Sequence, residues 1–203
     1  YVGTPTTVEL YVGEKKQSVS SPGGSVSDQI EAGSNVSVGE SAVPTSYDAF
    51  IACGTDAAAP GSSKQLTNVT VDTTCVVTNK EKPKIKVTKE LSPANDPGLF
   101  DLKIGGTTYD NGGAGFGDGG TTGFQYVSPG SYAIGEAGHG STDLAQYARG
   151  TQCTGATLSN GSVTVDYGSV VECTITNTRN TGSVTVVKRY VGDPTSVTLF
   201  IGG

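Results

Sequence analysis

Residues 84–89 read Lys-Ile-Lys-Val-Thr-Lys, and residues 183–188 read Ser-Val-Thr-Val-Val-Lys. In both runs branched apolar residues alternate with polar ones and a lysine closes the run, the period-2 pattern of a strand with one buried face. The likeness extends outward. Phe100-Asp101-Leu102-Lys103-Ile104-Gly105-Gly106 after the first run corresponds to Val197 through Gly203 after the second, and Tyr190-Val191-Gly192-Asp193-Pro194-Thr195-Ser196-Val197-Thr198-Leu199 restarts Tyr1-Val2-Gly3-Thr4-Pro5-Thr6-Thr7-Val8-Glu9-Leu10. Between these lie Ser37-Val38-Gly39-Glu40 against Ala133-Ile134-Gly135-Glu136, Cys53 against Cys153, and Cys75-Val76-Val77-Thr78-Asn79 against Cys173-Thr174-Ile175-Thr176-Asn177. Landmarks recurring in one order mark a repeat architecture. The chain divides into a first repeat at 1–80, a complete second repeat at 81–180, and the opening strands of a third at 181–203, which would complete the next copy. The first repeat lacks its first strand, whose counterpart would precede Tyr1. Either the chain is a window on a longer tandem array or a neighbouring subunit donates that strand.

The same alternation predicts strands at Val8/Leu10/Val12, Val69/Val71, Phe100/Leu102/Ile104, Val163/Val165, Val184/Val186 and Val197/Leu199/Ile201. Ser-Pro-Gly-Gly at 21–24, Ser-Pro-Gly at 128–130 and Asn160-Gly161 supply the preset or positive φ that tight turns need. No stretch carries a helical stripe. With 30 glycines in 203 residues, about twice the usual share of roughly 7%, the chain reads as all-β: tandem Ig-like β-sandwiches in a linear array.

Composition narrows the function. A net charge of −6 leaves no basic stripe to displace counterions from a phosphate backbone, so nucleic acid is not an expected partner. The four cysteines form no C-x-x-C pair and His139 is the single histidine, so no metal site and no cofactor is expected, and two disulfides formed in an oxidising compartment account for the cysteines. No apolar run approaches the roughly 20 residues of a membrane span and the segment opens at Tyr1 without a basic n-region, so no membrane anchor or signal peptide is expected within it.

Lys89 at the end of its strand, Ser-Pro-Gly-Ser-Tyr-Ala-Ile-Gly-Glu ending at Glu136, and Thr-Ile-Thr-Asn-Thr around Asn177 together resemble the prealbumin-like repeats of bacterial pilins and surface adhesins, the CnaB or SpaA-like type. The first repeat has its own version in Glu40-Ser41-Ala42-Val43-Pro44-Thr45-Ser46-Tyr47. The resemblance implies prealbumin-like sandwiches and an autocatalytic isopeptide bond from Lys89 to Asn177, assisted by Glu136. A buried lysine that loses its proton is a nucleophile, and a buried glutamic acid can polarise the asparagine carbonyl and shuttle protons as ammonia leaves. Without the resemblance, Lys89 and Glu136 also read as strand-end charges or a salt bridge. At the ends of the chain, Glu40 and Asn79 have no strand-borne lysine before them, and Lys188 has no glutamate or asparagine after it. An isopeptide between adjacent copies, from Lys188 to Asn79 beside Glu40, is the expectation. Lys15, Lys16, Lys64 and Lys80 fall at other places in the repeat.

Cysteine pairing is expected within each repeat, Cys53 with Cys75 and Cys153 with Cys173, since each second cysteine stands shortly before the aligned asparagine. The Gly-rich run 109–120 reads as a flexible surface loop, its two carboxylates and one asparagine falling short of a calcium-loop ligand set. Asn35, Asn68 and Asn160 head glycosylation sequons. His139, between two glycines, reads as a loop tip.

These readings point to a secreted, cell-surface structural protein and not an enzyme: a segment of an extracellular filament, pilus-like fibre or adhesin stalk, its partners identical copies head to tail. The alternative is an adhesin module that takes a glycan or host protein on its loops. An exposed aromatic patch at Tyr109, Phe116 and Phe124 would favour it.

Overall fold

The computed structural model describes residues 7–20 and 24–202; the repeat opening at Tyr1–Thr6, the Ser21-Pro22-Gly23 portion of the expected turn, and Gly203 lie outside the described residues. Strands β1 (Val8–Val12), β2 (Lys15–Val19), β3 (Ser34–Ser41), β4 (Tyr47–Cys53), β5 (Ala59–Pro60), β6 (Ser63–Val69) and β7 (Cys75–Glu81) come first. After Lys82 and Pro83 follow β8 (Lys84–Ser92), β9 (Phe100–Ile104), β10 (Thr107–Tyr109), β11 (Gln125–Tyr126), β12 (Gly130–Gly138), β13 (Tyr147–Thr154), β14 (Leu158–Ser159), β15 (Ser162–Val165) and β16 (Val170–Arg179), with one 3-10 turn at Leu144–Gln146. The fold is all-β.

Four sheets result, in the orders β2-β1-β3-β6, β5-β4-β7, β10-β9-β12-β15-β14 and β11-β8-β16-β13. The last two close on one core. Ile85 and Val87 of β8 and Val171, Cys173 and Ile175 of β16 meet Leu102 and Ile104 of β9, Ile134 of β12, and Val163 and Val165 of β15, all almost wholly buried. Each such branched side chain contributes about 1.5–3 kcal/mol by leaving water, so this sandwich is well supported. The first two sheets share a smaller core cluster among the described residues, Val36 and Val38 of β3 with Ile51 and Cys53 of β4. β7 pairs with β4 on one side and stands at the edge of its sheet, whereas its counterpart β16 lies between β13 and the parallel strand β8.

The two groups of strands meet around the β7–β8 connection. The Tyr167 hydroxyl donates to Asp48 Oδ2 at 3.2 Å, its ring meets the Phe50 ring edge-on at 5.9 Å, and the Gly168 N–H donates to the Glu81 carbonyl at 2.7 Å.

Local sequence explains the turns. Asn160 and Gly161 join β14 to β15 with φ of 49° and 76°, the two positive values that a two-residue hairpin of matching twist requires. Three expectations differ. The strand anticipated through Val71 ends at Val69, and Val71 is 72% exposed, because the chain there leaves one sheet to reach β7 in the other. Residues 181–202 form no strand and are exposed throughout: Val184, Val186, Val197, Leu199 and Ile201 have the right alternation, but a strand is stable only beside a partner edge, and here none is paired with it. The Gly-rich run is also not a free surface loop. Its Phe116 is buried in the core, the Gly120 carbonyl accepts from the Lys89 N–H at 2.7 Å, and Asp118 accepts from the Leu91 N–H at 2.7 Å, so the run covers the outer edge of β8.

Candidate functional site

Alternation along β8 turns Ile85, Val87, Lys89 and Leu91 inward, so a lysine occupies a position otherwise reserved for apolar residues. On β16 the inward row is Val171, Cys173, Ile175 and Asn177. The strands run parallel with Lys89 opposite Ile175 and Leu91 opposite Asn177, which sets Lys89 and Asn177 on the same inner face, one diagonal step apart. Glu136 comes from the facing sheet, on β12 opposite Leu102. Lys89 and Asn177 are completely buried and Glu136 is 8% exposed.

Within this pocket the Lys89 Nζ donates to the Ile175 carbonyl at 2.9 Å, stands 3.3 Å from Glu136 Oε2, and lies 4.6 Å from the centre of the Phe100 ring. Burial lowers the Lys89 ammonium below its ordinary 10.5, and the opposing pull of Glu136 is the smaller influence. Neither Glu136 oxygen has an aligned hydrogen bond, and Asn177 Nδ2 and Oδ1 have no partner. Buried polar atoms left so cost about 1–3 kcal/mol each, which a purely structural core has no reason to retain. The arrangement places an amine with a weakened hold on its proton, a carboxyl, and an unengaged carboxamide in one buried pocket.

Disulfides join Cys53 to Cys75 and Cys153 to Cys173, across directly opposed residues of β4/β7 and β13/β16, closing separations of 22 and 20 residues. Each ties the last strand of its group to the strand beside it.

Residues 84–175 match the family model described as the prealbumin-like fold domain. This segment is similar to a prealbumin-like domain. The match runs from the start of β8 into β16, taking in Lys89 and Glu136 and ending two residues before Asn177. Among solved structures the chain is similar to the major pilin protein of Streptococcus pyogenes, at 14% identity with a TM-score of 0.35, covering 88% of this chain and 92% of that one. No curated protein matches.

Outside the matched segment, the first group of strands brings Glu40 and Asn79 together, with no lysine beside them among the described residues. Glu40 on β3 stands opposite Leu10 of β1, the register in which Glu136 stands opposite Leu102, and Asn79 donates through Nδ2 to Glu40 Oε2 at 2.9 Å. Both are nearly buried, at 4% and 3% exposure, with Glu40 Oε1 and Asn79 Oδ1 left without partners. Burial raises the Glu40 carboxyl above 4.5, the bond from Asn79 opposing it. The nearby lysines are engaged elsewhere: Lys15 with Asp28, Lys16 with Glu9, Lys64 with Asp56, and Lys80 over the Phe50 ring. Lys188 lies on the exposed tail with its Nζ 5.0 Å from the Tyr190 ring centre, apart from both pairs.

Asn35, Asn68 and Asn160 are all exposed, and the Asn68 N–H donates to Asn35 Oδ1 at 2.9 Å. His139 follows β12 with Nδ1 2.8 Å from Asp101 Oδ1, an anchored loop position. Tyr109, Phe116 and Phe124 form no exposed patch, since Phe116 is buried. One cluster escaped the sequence altogether. Arg179 donates to both oxygens of Asp96, at 2.6 and 2.9 Å, Tyr147 donates to Asp96 at 2.7 Å, and the Arg179 guanidinium lies 4.2 Å from the Tyr147 ring centre. These residues stand far apart in the chain and belong to no motif, so only the fold could assemble them.

Proposed function

We propose that this chain is a structural segment of an extracellular, pilus-like filament or adhesin stalk, built from sandwich repeats at 1–80, 81–180 and from 181 onward, and locked by two disulfides and a Lys89–Asn177 isopeptide bond. The observation that carries the reading is the convergence of Lys89, Glu136 and Asn177 from three strands into one pocket, with the asparagine and glutamate atoms left without aligned hydrogen bonds. In the reaction, the lone pair of the neutral Lys89 amine attacks Asn177 Cγ, and Glu136 takes one of the two Nζ protons, leaving the other on the new amide nitrogen. The new Nζ–Cγ bond forms, the Cγ–Nδ2 bond breaks, Glu136 returns the proton to the departing nitrogen, and ammonia leaves. No oxidant or cofactor enters, and the reaction turns over once. The result is a staple and not an enzyme.

The adhesive alternative needs an exposed recognition face, and the buried Phe116 removes the aromatic patch that would have supplied one. The prealbumin-like match and the second Glu–Asn pair at Glu40 and Asn79 both favour a repeated structural unit.

Intact mass of the reduced, denatured chain tests the reading. The wild type should weigh one ammonia less than its sequence, and Glu136→Ala should restore the full mass in a protein that keeps its β-sheet spectrum. A wild type at full sequence mass after complete folding overturns it.

A further inference from the structure

We infer that Asp96, Tyr147 and Arg179, acting through Phe100, are positioning residues for the joining of Lys89 to Asn177: they clamp the two reacting strands together just beyond the pocket and keep water from the amine on that side. The inference rests on the reading of the Lys89 pocket given above.

The clamp ties the same two strands as the proposed bond. Lys89 stands on β8, and the loop that leaves β8 after Ser92 carries Asp96. Asn177 stands on β16, and Arg179 follows it by two residues at the end of that strand. The Arg179 Nε donates to Asp96 Oδ2 at 2.6 Å and its Nη2 donates to Oδ1 at 2.9 Å. Such a forked, charge-assisted pair fixes the orientation of both partners as well as their distance. Chain ends open more readily than the middle of a sheet, so without the clamp the asparagine would sit on the loosest part of its strand.

A line of contacts runs from the clamp to the amine. Tyr147 lies directly opposite Arg179 on β13, its ring centre 4.2 Å from the guanidinium and its hydroxyl donating to Asp96 Oδ1 at 2.7 Å. The same ring meets Phe100 edge-on at 5.2 Å, and the Phe100 ring centre is 4.6 Å from the Lys89 Nζ. Exposure falls along this line, from 29% for the Arg179 side chain to 8% for Tyr147 and 0% for Phe100 and Lys89. Gly98 shows how closely the parts are fitted. Its N–H donates to Asp96 Oδ1 at 2.8 Å, and a Cβ at this position would collide with the Tyr147 hydroxyl oxygen and crowd Asp96 and the Phe100 ring.

Attack on a carboxamide needs a neutral amine held against it. Burial is the largest influence lowering the Lys89 ammonium; Glu136 from β12 and Asp118 from the Gly-rich run oppose it, and Arg149 from β13 adds to it. The clamp serves both needs, because it holds the aromatic pair shut over the amine and fixes the strand end that presents Asn177. Once the Nζ–Cγ bond has formed, that bond ties β8 to β16 by itself. The clamp therefore governs how fast the link forms.

Intact mass and circular dichroism followed together during refolding of the full chain, over a pH series, test this. Tyr147→Phe and Arg179→Lys loosen the clamp without changing the net charge, and Val163→Ala, in the core of the same sandwich and outside the clamp, controls for lost stability. Once folded, Val163→Ala should lose ammonia at the wild-type rate. The two clamp variants should regain the wild-type β-sheet spectrum yet lose ammonia about tenfold more slowly, with the pH of half-maximal rate moved up toward the ordinary lysine value of 10.5 as water reaches the amine. If Arg179→Lys does not fold, Tyr147→Phe decides, since it keeps the ring and loses one oxygen. Clamp variants with the wild-type rate or the wild-type pH midpoint, or a Val163→Ala slowed and shifted as they are, overturn this inference alone while ammonia loss in the wild type upholds the reading of the pocket. A wild type that loses no ammonia overturns that reading, and this inference with it.

Discussion

Asn79 donates to Glu40 at 2.9 Å, and among the described residues no lysine reaches either of them. In the β8–β16 sandwich the equivalent glutamate faces a lysine at 3.3 Å and the equivalent asparagine is unengaged. A carboxamide held by a carboxyl is a resting pair, and one released beside an amine is poised for substitution. Among the described residues, the Lys89 amine is what separates the two arrangements chemically.

Replacing Lys89 by Met should reveal how costly the pocket is without its amine. Glu136 would be left buried without the nitrogen beside it and the Lys89–Asn177 link could not form, and a buried polar group stripped of its partner costs about 1–3 kcal/mol. Adding Glu136→Gln to Lys89→Met should recover part of that loss, and urea unfolding of the three proteins checks the order. Equal midpoints for the single and double variants would contradict it.

The rate of ammonia loss during refolding should rise with pH while the Lys89 amine is still protonated and level off below 10.5, because burial lowers that group and only its neutral form attacks. Time-resolved intact mass across a pH series measures this. A plateau reached only above 10.5 would mean that the amine reacts from a solvent-like setting.

The Asp96–Arg179 pair predicts an acid-labile increment of stability. Hydrogen bonds from Arg179, and then from Tyr147 and Gly98, hold the Asp96 carboxyl well below its ordinary 3.8. A depressed folded value means that the contribution is present above the unfolded value, about 3.9, and is lost as pH falls below it toward the folded one. Asp96→Asn should lower the melting temperature at pH 7 and have a smaller effect at pH 2.5.

Removing the first disulfide with Cys53→Ser and Cys75→Ser should cost about 3 kcal/mol through the loop it closes. Because the core cluster around Val36, Val38, Ile51 and Cys53 is small, this variant should lose the β1–β7 sandwich at a denaturant concentration where β8–β16 remains folded. Proteolysis followed by mass analysis would show a protected fragment beginning near Lys84. Simultaneous digestion of both halves would refute the expectation.

Much of this was legible before any coordinates. Lys89, Glu136 and Asn177 could be named because the motifs around them resemble those of prealbumin-like repeats, and the glutamate and asparagine recur in the same order at Glu40 and Asn79. The covering role of the Gly-rich run was not legible, since glycines that permit any path give no sign of which path packing selects, and Phe116 alone hinted at burial. Asp96, Tyr147 and Arg179 were invisible for a different reason. Their attraction depends on where separate strands end, which local pattern does not encode. The tail showed the converse error: alternation at Val184/Val186 is correct strand grammar, but a strand also needs an edge to bind.

The parallel course of β8 and β16 has a mechanical meaning. The chain enters at Lys84 at one pole and leaves at Arg179 at the other, so pulling on the two ends drives the neighbouring strands past each other in shear. Their nine residue pairs then resist together and cannot be unzipped one by one. A covalent link between Lys89 and Asn177 would route the force directly from one strand to the other and leave residues 90–176 slack, so the interior of the sandwich would never feel the pull that its two outer segments transmit.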